Sequence, residues 1–432
     1  MKSWQIVFGG SVLGLGCGGA SAPPPAQPSV TAGAAKTPAP APGMNRDDEI
    51  ALALSAAPPA VAAKAGVYVL DKSGYVKAKD SQNGFVCYVD HRVPAAVEPQ
   101  CPDEEGAKTF LPRAILTASL RAQGKSEPEI RQGVRDAFAK GTLRAPSRPG
   151  VNYMLSTHNV VTVDEEHGVA APFPPHLMFY APYLTNATFG SDGDPHSPLF
   201  VVDEGTPHAL VIVPVPNGEG MAGHAHAPPA GGPPKAPAKS DAKLPAPMPR
   251  DREIALALSA APPAVAAKAG VYVLEKTGYV KARESENGFV CLVDHRVPAA
   301  VEPQCPDEEG VKSFLPRSLL TASLRAQGKS EPEIRQAVRE AFGKGTLRAP
   351  ARAGINYMLS TENVVTVDEE HGVAMPFPAH FMFYAPYLTN ATFGSDGNPG
   401  SALFVVDEGT PHALVIVPAG PPGASHAHAA AK

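Results

Sequence analysis

The chain has 432 residues, of which 49 are Pro and 40 Gly, with 44% hydrophobic and 6% aromatic residues. That composition leaves part of the chain outside any packed core, and the length allows two or three domains. A net charge of −5, from 37 Lys+Arg against 42 Asp+Glu, offers no basic surface for nucleic acid. The absence of a run of about 18–20 apolar residues beyond the N-terminus argues against a membrane-spanning helix.

The chain starts with Met1-Lys2 and a short apolar stretch from Trp4 to Leu15, with small residues leading to Cys17. One positive charge, a brief apolar core and small residues form a secretory signal. The run resembles the signal of bacterial lipoproteins, with Gly14 at the usual Leu position between Leu13 and Leu15. The resemblance implies lipidation of Cys17 and residence in the cell envelope, at the outer membrane in a Gram-negative cell. Ordinary cleavage near Ala20 or Ala22 is the alternative.

Ile50-Ala-Leu-Ala-Leu-Ser recurs at Ile254, and the offset of 204 holds without a gap to Pro214 and Pro418. About 24 of about 169 aligned positions differ, so this is duplication of a whole domain rather than a solenoid repeat. The chain divides into a signal (1–17), a Pro/Ala-rich tether (18–45), copy one (46–216), a linker (217–249), copy two (250–418) and a tail (419–432). Tether, linker and tail are too poor in apolar residues to offset chain entropy and read as disordered. With a linker of that length, the two copies are expected to move nearly independently.

Within copy one, Asp47 caps a short helix that stops at Pro58-Pro59, and a second helical turn covers 60–65. Strands at 67–70, 75–79 and 85–90 follow, with Lys72-Ser-Gly and Asn83-Gly84 as turns, and predict an antiparallel meander. A Pro-rich, acidic loop reaches Cys101. Helices are predicted over 110–123 and from the capping box Ser126-Glu-Pro-Glu129, and strands at 152–156, 160–163, 176–180, 199–202 and 209–213. Strands, then helices, then strands, without βαβ alternation, predict an α+β fold: two near-identical domains, each a largely antiparallel sheet with three or four helices.

Four cysteines fall in pairs 14 residues apart, Cys87 with Cys101 and Cys291 with Cys305. In an exported protein each pair is expected to form a disulfide, worth roughly 3 kcal/mol for a loop of about 15 residues. Cys17 is then left over for the lipid. The spacing is neither a Cys-x-x-Cys redox couple nor half of a zinc site.

Chemistry concentrates in Pro174-Pro-His176-Leu-Met-Phe-Tyr180-Ala-Pro182 and its repeat around His380. As a strand, it puts His176, Met178 and Tyr180 on one face, with Leu177 and Phe179 on the other. The strand at Asn152 likewise places Met154 and Ser156 together. In register, Met154, Ser156, His176, Met178 and Tyr180 would line one concave ligand-binding surface, repeated as Met358, Ser360, His380, Met382 and Tyr384. Ser156 with His176, and Ser360 with His380, are weak candidates for a nucleophile and its base, since no Gly-x-Ser-x-Gly elbow is present. His176 beside Met178 is a thin basis for soft-metal binding without a second close His.

The acidic segments Asp164-Glu-Glu-His167, Cys101-Pro-Asp-Glu-Glu105 and Asp203-Glu-Gly-Thr read as solvated turns. His224-Ala-His226 and His426-Ala-His428 can take up metal weakly, so neither a resident metal nor a cofactor is expected. Asn186-Ala-Thr188 matches the glycosylation triplet, which means little if the chain is a bacterial lipoprotein, as its N-terminus suggests.

The Gly-Phe-x-Cys strand, Asn-Tyr-Met-Leu-Ser156 and Pro-His176-Leu-Met-Phe-Tyr-Ala-Pro together resemble a group of exported bacterial proteins and lipoproteins to which no activity is assigned. The resemblance covers most of each copy, implies export and a shared fold, and modestly favours Ser156 and His176 as site residues. The sequence therefore predicts an envelope lipoprotein, attached to the membrane by its lipid alone. Its two domains bind an envelope or extracellular ligand, with a small Ser/His hydrolase as the alternative and metal capture a weaker one.

Overall fold

In the computed structural model, helix α1 (Arg46–Leu54) opens the first copy, capped by Asn45, whose side chain accepts the Asp48 N–H at 2.9 Å. The residues described are 44–215, 244–369 and 371–419. The expected signal, Cys17, most of the tether, most of the linker and both His-x-His pairs lie outside them. Pro59 at the first helical position starts the single turn α2 (Pro59–Ala62), where a missing N–H costs nothing.

Ten strands follow in copy one: β1 (Gly66–Asp71), β2 (Gly74–Lys79), β3 (Val86–Asp90), β4 (Glu98–Pro102), β5 (Val151–Met154), β6 (Val160–Asp164), β7 (Val169–Pro172), β8 (His176–Tyr180), β9 (Phe200–Val202) and β10 (Leu210–Pro214). Between β4 and β5 lie helices α3 (Glu104–Ala122) and α4 (Glu127–Ala139), and α5 (Asn186–Phe189) precedes β9. Eight strands form one sheet in the order β2-β1-β3-β4-β5-β8-β10-β9, while β6 and β7 form a separate hairpin. Copy two repeats this layout, so the fold is α+β with two similar sheet-rich halves.

All pairings in the large sheet are antiparallel except β1 with β3, where Gly66 and Val67 pair with Val86 and Cys87 in parallel. The expected meander is therefore corrected, because Asn83-Gly84 closes no tight hairpin. Asn83 instead donates to Val61 O at 2.9 Å and accepts the Phe85 N–H at 3.2 Å, so the chain crosses the end of β1 and enters β3 on its far side.

The cysteine pairing is as expected. Cys87 and Cys101, on adjacent strands β3 and β4, are fully buried and disulfide-bonded, as are Cys291 and Cys305. The acidic loop is not a loop: Cys101-Pro102 ends β4, and Asp103 caps α3 by accepting the Gly106 N–H at 2.9 Å. Pro112 sits within α3. In copy two the matching Pro316 falls at the start of a new segment, Leu315–Ala326, after a short helix Glu308–Ser313. The capping box of α4 is formed, with the Glu129 carboxylate accepting the Ser126 N–H at 2.9 Å.

Helix α1 packs over β1, β3 and β4, and α3 packs over the opposite side of β2 to β4. The remaining inner face of the sheet, carrying Tyr153, Leu177, Phe179, Val211 and Val213, meets the same face of copy two in one continuous apolar core. Phe179 and Phe383 stack there, with ring centroids 4.3 Å apart. The Tyr153 hydroxyl donates to Phe393 O at 2.8 Å, and Tyr357 returns the bond to Phe189 O at 2.6 Å. The copies thus share a core instead of moving independently. Linker length sets how far two domains can separate, but burial of a common apolar face decides whether they do.

Candidate functional site

Strands β5 and β8 are neighbours: Met154 lies opposite His176 and Asn152 opposite Met178, with Met358 opposite His380 in copy two. His176, Met178 and Tyr180 share the outer face, and Leu177 and Phe179 the inner one. The outer face is not a concave surface open to ligand. Phe110 of α3, with Phe200, Leu210 and Ile212 from the neighbouring strands, packs onto Met154, Met178 and Tyr180. None of Met154, Ser156, His176, Met178 and Tyr180 is more than 6% exposed, and Met358, Ser360, His380, Met382 and Tyr384 are equally closed off.

The polar atoms of these residues are occupied elsewhere. Ser156 Oγ accepts the Ser55 hydroxyl at 2.9 Å and the His158 N–H at 3.2 Å, and Ser360 does the same with Ser259 and Glu362. His176 Nδ1 donates to Pro174 O at 2.8 Å, as His380 does to Pro378 O, while the Phe173 ring packs edge-on at 5.0 Å. Burial pushes both imidazoles down to about 4, so they are neutral at physiological pH. The Tyr180 hydroxyl stands 2.9 Å from Asp103 Oδ1 and 2.8 Å from Val151 O. Serine and histidine share a region of the fold, but their hydrogen bonds lead away from each other, contrary to what a nucleophile and base require.

Of the three acidic segments expected to be solvated turns, the one carrying Asp103 and Glu105 is buried, while those at 164–167 and 203–206 are exposed turns that each send one half-buried carboxylate inward. Glu165 and Asp203 converge on two arginines: Arg92 reaches Glu165 and Asp203 at 2.7 Å each, and Arg113 reaches them at 3.2 and 3.6 Å. Burial opposes ionisation of Asp203, but the Arg92 and Arg113 charges outweigh it and hold the carboxyl at about 2. Asp203 has φ +53°, left-handed backbone that Asp tolerates better than most residues, and Asp407 repeats it. Beneath this cluster, burial and the neighbouring Asp90 raise Glu98 to about 7, against the pull of Arg92 and of the Thr162 N–H that Glu98 accepts at 2.7 Å. Sequence reasoning missed this network because its members lie on β3, the loop after it, β4, α3 and two distant turns. Their one sequence signal was acidic residues set next to strand ends.

An accessible groove lies at the seam of the two copies. Asn83, Glu104 and Arg148 of the first face Leu388, Thr389, Ala391 and Thr392 of the second across a groove of about 420 Å³. Glu104 is exposed at the first turn of α3, where it pairs with Lys108, and Arg148 is braced by Asp103 Oδ2 at 3.3 Å and Pro149 O at 3.1 Å. One wall thus offers an anionic and a cationic group side by side, and the other hydroxyls and methyls. Among the described residues no group of three or more His, Cys, Asp or Glu is placed to hold a metal ion. No protein-family model, curated protein or solved structure matches the chain.

Proposed function

We propose that this is an exported, lipid-anchored envelope protein that binds a small polar ligand and does not turn it over. The observation that carries the reading is the seam groove, with Glu104 and Arg148 on one wall and Thr389 and Thr392 on the other. That chemistry suits a zwitterion such as an amino acid or short peptide, whose carboxylate pairs with Arg148 and whose ammonium pairs with Glu104. Two buried disulfides support an oxidising compartment, which agrees with the signal-like N-terminus and with Cys17 as the anchor. A membrane fraction that retains the Cys17→Ser chain as well as the parent would remove the anchor from this reading.

Ligand binding is tested by thermal unfolding against a panel of amino acids and dipeptides. A ligand at a hundred times its Kd stabilises by about 2.7 kcal/mol. A positive member should lose its shift in Arg148→Ala, and a panel with no shift on the parent protein would discard the reading. The hydrolase alternative has only the proximity of Ser156 to β8 behind it. Labelling of Ser156 by a serine-reactive probe, lost in His176→Ala, would restore it.

A further inference from the structure

The contacts that join the copies have a particular symmetry. Phe179 meets Phe383, its own counterpart. Tyr153 bonds to the Phe393 carbonyl, and Tyr357 bonds back to Phe189. Gly190, at φ +64°, lies where a Cβ would run into Val265 and Phe289, and Gly394 faces Val61 and Phe85 in the same way. Each residue in these contacts is identical to its counterpart 204 positions away, so residue i touches j while j touches i. That is the signature of an isologous, two-fold interface, the kind that joins identical subunits.

We infer that the face centred on Phe179 is a self-association surface whose fitting partner is a second copy of the same unit. The chain is a dimer of that unit closed by a covalent connection. Removed from its partner, one half would expose Tyr153, Leu177, Phe179, Val211 and Val213 as a single apolar patch, which soluble monomers rarely tolerate. The differences close to the joint are Val151 to Ile355, Leu177 to Phe381 and Pro149 to Ala353. They exchange one apolar residue for another and place no charge on the axis. Two first halves can therefore make every contact named above. The seam groove, which draws its walls from both halves, exists only in the paired state.

The test uses the whole chain with a specific protease sequence placed within residues 216–243. After cleavage of the folded protein, the two fragments are expected to elute together as one species under native conditions. Two cut preparations whose first halves carry different tags are then unfolded with disulfides intact and refolded together. Capture on one first-half tag should recover the other first-half tag as well as second halves. Fragments that part as separate species on cleavage would overturn the inference. So would refolded first halves that recover only second halves, or nothing at all.

Discussion

Glu98 and its counterpart Glu302 couple the sheet to the pH of its surroundings. Burial, followed by the charge of Asp90 or Asp294, raises each carboxyl to about 7 in the folded state, against an ordinary value of 4.5. The folded protein therefore holds these protons more tightly than the unfolded chain. The resulting stability is fully present below pH 4.5 and is lost as pH rises through about 7. The buried His176 and His380, depressed to about 4, work in the opposite sense, because below their ordinary value the unfolded chain takes up the protons. For this reason the carboxyl contribution is read as a difference between proteins. Glu98→Gln with Glu302→Gln keeps an acceptor for the Thr162 and Thr366 N–H groups and removes the titration. Denaturant unfolding at pH 5 and pH 8 should show the variant gaining on the parent at the higher pH, by up to about 3 kcal/mol per half. A parallel pH dependence in both proteins would mean that Glu98 ionises normally.

Helix α3 shows how much one residue at an element boundary can carry. Asp103, 1% exposed, caps the helix, meets the Tyr180 hydroxyl of β8 and pairs with Arg148 at the rim of the groove. Asp103→Ala removes the cap and leaves the Gly106 N–H without that acceptor, a loss of about 2–4 kcal/mol on denaturant unfolding. Asp103→Asn should recover much of it; an alanine variant as stable as the parent would show that α3 is held by packing alone. The boundaries of α4 were legible because Ser126 and Glu129 satisfy the backbone locally, and the two-residue alternation was enough to place His176, Met178 and Tyr180 on one face of β8. The start of α3 was hidden because Asp103 looks like any solvated acid until Tyr180 is brought to it. The closure of the candidate site was equally out of reach, since alternation says which side chains share a face and nothing about the Phe110 that covers them.

At the scale of the molecule, a shared core predicts shared cooperativity. The halves should unfold in one thermal transition, even though the chain has two copies and two disulfides. Gly190→Val with Gly394→Val forces a branched side chain into a left-handed backbone position against Val265 and Val61. The expected outcome is loss of the docked state, seen as a fall in transition temperature together with a broader or divided transition. A single transition of unchanged sharpness would mean that the joint contributes little to stability. The duplication itself was plain in the sequence. The docking was not, because apolar residues on the inner face of a sheet read alike whether they meet a helix or a second sheet.

The stacked pair at Phe179 and Phe383 has a consequence for how such a chain can change. In an assembly of separate identical subunits every substitution at the joint is made twice and meets itself across the axis. Here each side has its own codon, so a change on one side is made once, against an unchanged partner. Leu177 with Phe381 is already unequal in this way. Beside the groove, Ser147 and Pro149 flank Arg148, while Ala351 and Ala353 flank its counterpart Arg352. The surroundings of the two arginines are thus free to drift apart while the axis between the halves stays closed.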